Sequence, residues 1–329
     1  MHKKNILVTG GAGFIGSNLV DEILKNPSNR VIALDDLSTG TEETIKHNYS
    51  NPNFKFIKSD IRNYQDMKKI CKGIDKVYHL AVQCVRMSLF NPDLVHEVNA
   101  TGTLNMLKVS LENKVEKFVY VSSSEVYGTA KTVPMSEEHP TEPETVYGAS
   151  KLAGEHYTKA FTRTYGLDTV IVRPFNTYGP REHFEGPSGE VIPKFSVRVK
   201  NNKQPLIFGD GGQTRDFTYI SDTVKGIILA SDSDRLNGQT INIAYGQEVS
   251  VNHLADYILK EFKSSLQPKY CESRPGDVLR HYADISKARK ILNFQPTIDI
   301  NKGIKLYLDW FNKQKVDSSK EKDFNWKND

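Results

Sequence analysis

The sequence predicts an α/β fold: a doubly wound parallel sheet with helices on both faces, and a smaller C-terminal α/β domain beside it. Three observations predict it. Short β-branched-rich apolar runs alternate with longer helical patterns through the first half. A glycine-rich turn joins the first run to the first helical pattern. After Pro174 the alternation stops and Gly and Pro become frequent.

The apolar runs lie at 5–9, 31–35, 54–58, 76–80, 117–122 and 169–173. Each is bounded by turn or polar residues and suits a strand buried on both faces. Helical patterns fall between them, near 14–25, 63–72, 92–113 and 145–165. Strand-helix alternation implies parallel strands joined by right-handed crossovers. A ligand then belongs at the carboxyl ends of the strands. The Gly- and Pro-rich stretch begins with Gly179-Pro180 and runs through Gly209, Gly211 and Gly212. It predicts a second domain closing over the sheet edge. The expected division is 1–178 for the sheet domain, with 216–245 returning to it, and 179–215 with 246–316 for the smaller domain. Residues 317–329 carry no apolar period and read as a disordered tail.

Composition narrows the class. Hydrophobic residues make up 38% and charged residues 26%, as in a soluble globular protein. The formal net charge of +4 is too small and too scattered for a nucleic-acid partner. The one basic cluster, 313–327, is interrupted by Asp317, Glu321 and Asp323 and reads as a solvated tail. Cys71, Cys84 and Cys271 lack metal-ligand spacing, which predicts reduced thiols, no disulfide and no metal. The apolar stretch after Asn5 is only about five residues, too short for a signal peptide. No apolar run approaches the roughly 20 residues that span a bilayer. These features predict a cytoplasmic protein without a membrane partner.

The turn Thr9-Gly10-Gly11-Ala12-Gly13-Phe14-Ile15-Gly16 carries the first functional signal. Gly10 permits a tight turn. Gly13 lets the backbone approach a pyrophosphate. Gly16 lets helix and strand pack closely. Free N–H groups and the positive helix end then face phosphates. A glycine-rich turn can be only a tight loop; its position between a strand and a helix predicts a Rossmann-type dinucleotide site. Asp35 stands 19 residues after Gly16, where a carboxylate accepts from ribose hydroxyls and repels a 2′-phosphate. NAD is therefore expected over NADP. The alternative is that Asp35 or Asp36 merely caps the next turn. Asp60 either meets the adenine amino group or caps the helix at 63–72.

Tyr147 and Lys151 stand at i and i+4, on one face of a helix. A phenol is a weak base at neutral pH, and a nearby cation lowers its pKa. Tyr147 can then take a proton from a sugar hydroxyl while hydride leaves for the nicotinamide. Lys151 would also bond the nicotinamide ribose. Tyr-x-x-x-Lys is common by itself. The run Ser122-Ser123-Ser124-Glu125-Val126-Tyr127-Gly128 at the end of the fifth apolar run adds weight. Its hydroxyls either hold a substrate oxygen or cap their own turn.

Taken together, the sequence resembles the extended short-chain dehydrogenase/reductase family, and within it the NAD-dependent nucleotide-sugar epimerases, dehydratases and decarboxylases. The matching blocks are TGGAGFIGS at 9–17, HLAVQ at 79–83, SSSEVYG at 122–128, YGASK at 147–151, RPFNTYGPRE at 173–182, GDGGQTRDFTYISD at 209–222 and RPGD at 274–277. They cover nearly the whole chain to about Pro296. The resemblance implies Tyr147 as acid/base, Lys151 as its partner and Ser123 as the catalytic hydroxyl. Ser124 and Glu125 complete the catalytic set. It implies NAD held by Gly10, Gly13, Phe14, Ile15, Gly16, Asp35, Asp60, Ile61, Leu80, Ala81, Asn99, Tyr147 and Lys151. The implied substrate is a nucleoside diphosphate sugar. Ser123 and Asn176 would meet it, Glu190, Val191 and Lys194 would run along the nucleotide, Arg215 and Arg274 would bind the diphosphate, and Asp277 the nucleotide ribose. Arg suits phosphate because its fork can be bidentate. The alternative for Arg215 is a pair with Asp210 or Asp216. The family also implies a homodimer through the helices at 92–113 and 145–165.

The shared first step is oxidation at carbon 4. Glu125 tips the expected reaction towards a 4,6-dehydratase, since a carboxylate beside the sugar can act as the base at carbon 5. Ser124 stands where one dehydratase group has Asp. VRMSLFNP at 85–92 and RPGDVLRHYADISKA at 274–288 resemble the epimerase side. A 4-epimerase of the UDP-glucose type is the alternative, followed by a UDP-glucuronate decarboxylase and a catalytically idle NAD-binding subunit.

Overall fold

The computed structural model describes residues 3–184, 190–273 and 278–315. The first half builds β1 (Lys4–Thr9), α1 (Phe14–Leu24), β2 (Asn29–Asp35), β3 (Phe54–Lys58), α2 (Tyr64–Ile70) and β4 (Lys76–His79). It continues with α3 (Met87–Phe90), α4 (Pro92–His96), α5 (Thr103–Glu112), β5 (Lys117–Val121), α6 (Val146–Tyr165) and β6 (Thr169–Pro174). After Pro174 the elements shorten: β7 (Thr177–Tyr178), α7 (Val191–Lys200), β8 (Leu206–Phe208), β9 (Thr214–Arg215), β10 (Thr218–Tyr219), α8 (Ile220–Ser231) and β11 (Gln239–Ile243). The chain ends on β12 (Val249–Ser250), α9 (Val251–Glu261), β13 (Lys269–Cys271), α10 (Ser286–Leu292) and α11 (Ile300–Phe311).

The main sheet has seven strands in the order β11-β6-β5-β4-β1-β2-β3. All its pairings are parallel. It is a doubly wound α/β sheet, as expected. The strands alternate their side chains between two cores. Ile6, Val8, Val119 and Val121 enter one, with Leu19 and Val20 of α1. Leu7, Phe118 and Tyr120 enter the other, with Met106 and Leu107 of α5 and Phe161 of α6. Burial on both faces explains the continuous apolar runs. The strand order reverses between β1 and β4, which opens a crevice at their carboxyl ends.

Caps set the helix that faces this crevice. Thr145 accepts from the Gly148 N–H at 3.1 Å and starts α6. Gly166, at φ +72°, stops it. The helix expected over 92–113 is interrupted. Its middle, Glu97–Gly102, widens into a π turn between α4 and α5. The widened turn places Asn99 inward, where its amide bonds Gln83 O and Ser150 Oγ.

In the second half β11 joins the main sheet beside β6, and α8 packs against α1. The pairs β7–β10, β8–β13 and β9–β12 form small separate sheets, with α9 lying against α7 and α11. No helix among the described residues is long and apolar enough to cross a membrane. The tail expected at 317–329 lies outside the described residues.

Candidate active site

A cavity of about 350 Å³ lies along the crevice. One wall is the glycine turn. Gly10 has φ +69°, and a Cβ there would stand 2.8 Å from Ala81 N. A Cβ on Gly16 would stand 2.0 Å from Gly10 O, so turn and helix touch through bare backbone. Gly13 differs. A Cβ on it meets only Gly10 O, at 3.2 Å, and otherwise enters the cavity. Gly13 is also the N-cap of α1 and offers no side-chain cap. A cradle of uncapped N–H groups beside open space fits a pyrophosphate.

Asp35 ends β2 at the same wall. Its carboxylate accepts from Ala12 N at 3.0 Å and Leu37 N at 2.9 Å, so it organises the glycine turn and its own turn together. Burial raises its carboxyl above the usual range, and those N–H groups oppose the rise. Asp35 also lines the cavity, where its remaining lone pairs can meet ribose hydroxyls. Asp36 takes the turn-capping role, accepting from the Ser38 N–H and hydroxyl. Asp60 lines the cavity but caps no helix; Asn63 caps α2. Burial would raise Asp60, yet Arg62, at 2.6 Å, holds it below the usual carboxylate range. Phe14, Ile15, Ile61, Leu80 and Ala81 line the same space. Asn99 does not. It is 1% exposed, and its side chain bonds Gln83 and Ser150 behind the cavity wall.

Across the cavity stand Ser123, Ser124, Glu125, Tyr147 and Lys151. Ser123 Oγ accepts from Glu125 N at 3.2 Å, which caps the short turn after β5. Its proton remains free for Tyr147, and that hydrogen bond favours the phenolate. Burial works against it and raises the phenol, as do the charges of Glu125, Cys84 and Glu190. Lys151 Nζ donates to Val121 O at 2.7 Å and lies 4.5 Å from the Tyr120 ring centre, and the Ser123 hydroxyl eases the phenol. Burial pulls the Lys151 ammonium down to about 7, with Glu155 opposing. Ser124 is 3% exposed, and its carbonyl accepts from His281 Nε2 at 3.3 Å.

The cavity continues past Pro174, Asn176, Thr177, Glu182, His183 and Glu190. Asn176 Oδ1 is buried without a partner among the described residues, as suits a ligand-facing group. Glu190 also lines a second cavity of about 180 Å³ with Arg86, Val191, Lys194, Arg198 and Arg215. Four cations there suit a diphosphate. Arg215 donates to Thr214 O and Val278 O, at 2.9 and 2.7 Å. The alternative pairing is not formed: Asp216 turns inward onto the N–H groups of Tyr245, Gly246 and Ala283, and Asp210 onto Gly212 N. Arg274 and Asp277 lie outside the described residues. Arg86 and Arg198 were not anticipated. Arg198 follows Lys194 at i+4 on α7, a spacing that puts both on one helix face. Arg86 had no local signal; it comes to the cavity through its ion pair with Glu190 at 3.4 Å.

The family profile described as GDP-mannose 4,6 dehydratase matches residues 7–307. A Methanocaldococcus jannaschii protein with a provisional UDP-glucose 4-epimerase name is 41% identical over 308 residues, 93% of this chain and 97% of its own. The solved UDP-N-acetylglucosamine 4-epimerase of Methanobrevibacter ruminantium, in complex with UDP-N-acetylmuramic acid, superposes with a TM-score of 0.90 at 36% identity, over 96% of this chain and 100% of its own. The dTDP-glucose 4,6-dehydratase DesIV of Streptomyces venezuelae, solved with NAD bound, superposes with a TM-score of 0.89 at 30% identity, over 94% and 97%.

Proposed function

Since the chain belongs to the extended short-chain dehydrogenase/reductase family of NAD-dependent nucleotide-sugar epimerases and dehydratases, we propose that it inverts carbon 4 of a nucleoside diphosphate hexose. The observation that carries this reading is the placement of Tyr147 and Ser123 with the glycine turn in one cavity, which shares Glu190 with a second cavity lined by four cations. When bound, NAD supplies the acceptor and donor for the hydride of carbon 4. Tyr147 takes the proton of the carbon 4 hydroxyl in its phenolate form, which the Ser123 hydroxyl stabilises by donating to the phenolic oxygen against the upward pull of burial. Asn176 and the cations around Arg215 hold the diphosphate while the sugar turns. With the sugar turned, hydride returns to the opposite face of carbon 4, and Tyr147 gives its proton back to the carbonyl oxygen.

Epimerisation needs no further acid or base, and the strand end after β5 offers a single carboxylate, Glu125, beside Tyr147. The names of the similar epimerases support the same choice. That cavity-lining Glu125 also favours one second reading, the 4,6-dehydratase, in which it removes the carbon 5 proton. Turnover of UDP-, dTDP- and GDP-hexoses in heavy water separates the two. Epimerisation gives inverted carbon 4 with no solvent deuterium. Deuterium at carbon 5 with loss of the carbon 6 hydroxyl would replace the epimerase by the dehydratase, and Glu125→Gln would then abolish turnover. A second proposal concerns assembly. The exposed Leu89, Phe90 and Val146 border α4 and α6 and suit a homodimer seam, which sedimentation of the full chain tests.

A further inference from the structure

Behind the catalytic face of α6 lies a carboxylate that the reaction does not touch. Glu155 stands one helical turn after Lys151, and its residue is 0% exposed. Three hydrogen bonds fix it. Arg173 of β6 grips it with Nε at 2.8 Å and Nη2 at 2.6 Å. Ser122 of β5 donates to it at 2.7 Å. Arg173 is itself held over the Tyr127 ring at 4.5 Å and donates to Glu137 O. The carboxylate therefore joins the catalytic helix to the ends of two strands, next to Ser123 and one turn from Lys151.

Lys151 needs such a neighbour. It is buried, it shares its ammonium with one carbonyl and one ring, and burial favours loss of its proton. The titratable groups that face it are Tyr120 on β5, His79 on β4 and Glu155 on its own helix, with Arg173 of β6 behind Glu155. Among these Glu155 is the group that raises the proton affinity of Lys151, and His79 is buried neutral.

We propose that Glu155 is a positioning residue for this site, pinning the serine-bearing strand end against α6 and setting a carboxylate one turn from the Lys151 side chain. The inference rests on the reading that Lys151 meets the nicotinamide ribose beside Tyr147. The experiment measures NAD affinity of the full chain by titration calorimetry from roughly pH 6 to pH 9, a span that brackets the titration of a depressed lysine. In Glu155→Gln the midpoint at which affinity falls moves down by about one pH unit, a tenfold change in proton affinity. Glu155→Asp restores it in part. If Glu155→Gln does not fold, the double variant Glu155→Gln with Arg173→Met leaves no unpaired buried charge; with the guanidinium also gone its midpoint moves down by less than one unit, and an unmoved midpoint there overturns the proposal as well. A midpoint unmoved in the folded variant overturns the proposal. If Lys151→Met binds NAD with the unchanged pH dependence of the native chain, the reading of Lys151 fails instead, so the two failures are distinct.

Discussion

Gly13→Ala and Gly16→Ala add the same methyl group to one turn, and the structure predicts opposite outcomes. On Gly16 the new carbon falls 2.0 Å from Gly10 O and 2.8 Å from Gly10 C, both backbone atoms. Ordinary contact begins near about 3.4 Å, so helix and turn must separate by more than about 1 Å. Overpacking of that kind costs about 1–3 kcal/mol or more. On Gly13 the backbone is in an ordinary extended conformation, φ −80°, and the new carbon has a single neighbour at 3.2 Å. Stability should hold to within about 0.5 kcal/mol. The methyl group instead occupies the approach of the pyrophosphate to the N–H groups of α1. Losing two charge-assisted hydrogen bonds at about 1.5 kcal/mol or more each predicts at least about a 100-fold weaker NAD affinity. Thermal melting and NAD titration are run on both variants. Gly16→Ala should melt early with or without NAD. Gly13→Ala should melt like the native chain yet lose the stabilisation that NAD gives. Native NAD affinity in Gly13→Ala would refute the placement of the pyrophosphate on this turn.

Two further outcomes follow from the site and the core. Tyr147→Phe should lower kcat by about 100-fold or more, the usual worth of a positioned acid/base, while NAD affinity stays native; turnover near the native rate would reject the mechanism. Acid should destabilise the fold through two buried imidazoles. His79 is held near 3 and His281 near 4, both by burial, so each stays neutral in the folded chain while the unfolded chain protonates below about 6.5. Stability is thus complete above that value and falls as pH drops towards 3 to 4, by up to a few kcal/mol. The partners of His79 show why it resists a proton. Thr103 Oγ1 donates to Asn99 O and so accepts from Nε2, which leaves Nδ1 to accept from Thr9 Oγ1. Urea midpoints between pH 7 and about pH 4 check the slope, which His79→Gln should flatten.

What the sequence made legible was local. The strand runs showed because burial on both faces leaves no polar alternation, and the glycine turn showed because its stereochemistry belongs to Gly10 and Gly16 themselves. Tyr147, Lys151 and Ser123 sit in short runs whose spacing already fixes their direction. The misses depended on partners distant in sequence. The π turn at Glu97–Gly102 exists because Asn99 finds Gln83 and Ser150, and helical periodicity over 92–113 carries no trace of that. The bond from the Lys151 ammonium to the carbonyl of Val121, on β5, likewise had no local signal. Glu155 reads as one more charged residue of a mixed helix. Its burial follows from Arg173, which lies 18 residues on and on a different element.

Inversion at carbon 4 imposes a requirement that these cavities meet unequally. A ketone must offer both faces to the same phenol and nicotinamide, so the sugar needs a firm anchor away from its ring and few fixed contacts at it. The sugar end is lined by short side chains, Ser123, Ser124, Asn176 and Thr177, whereas the adjoining cavity gathers Arg86, Lys194, Arg198 and Arg215. In the proposed reaction the diphosphate is that anchor, and the sugar swings about it. Weakening the anchor should therefore do more than raise KM. Arg215→Ala should let the ketone escape before hydride returns, leaving reduced nicotinamide in the protein. With UDP-glucose and each of the other sugar nucleotides turned over by the native chain, nicotinamide absorbance should build towards one equivalent per site in the variant, with keto sugar in solution. A variant that raises KM about tenfold, the worth of roughly 1.4 kcal/mol, but never accumulates reduced cofactor would refute the anchor.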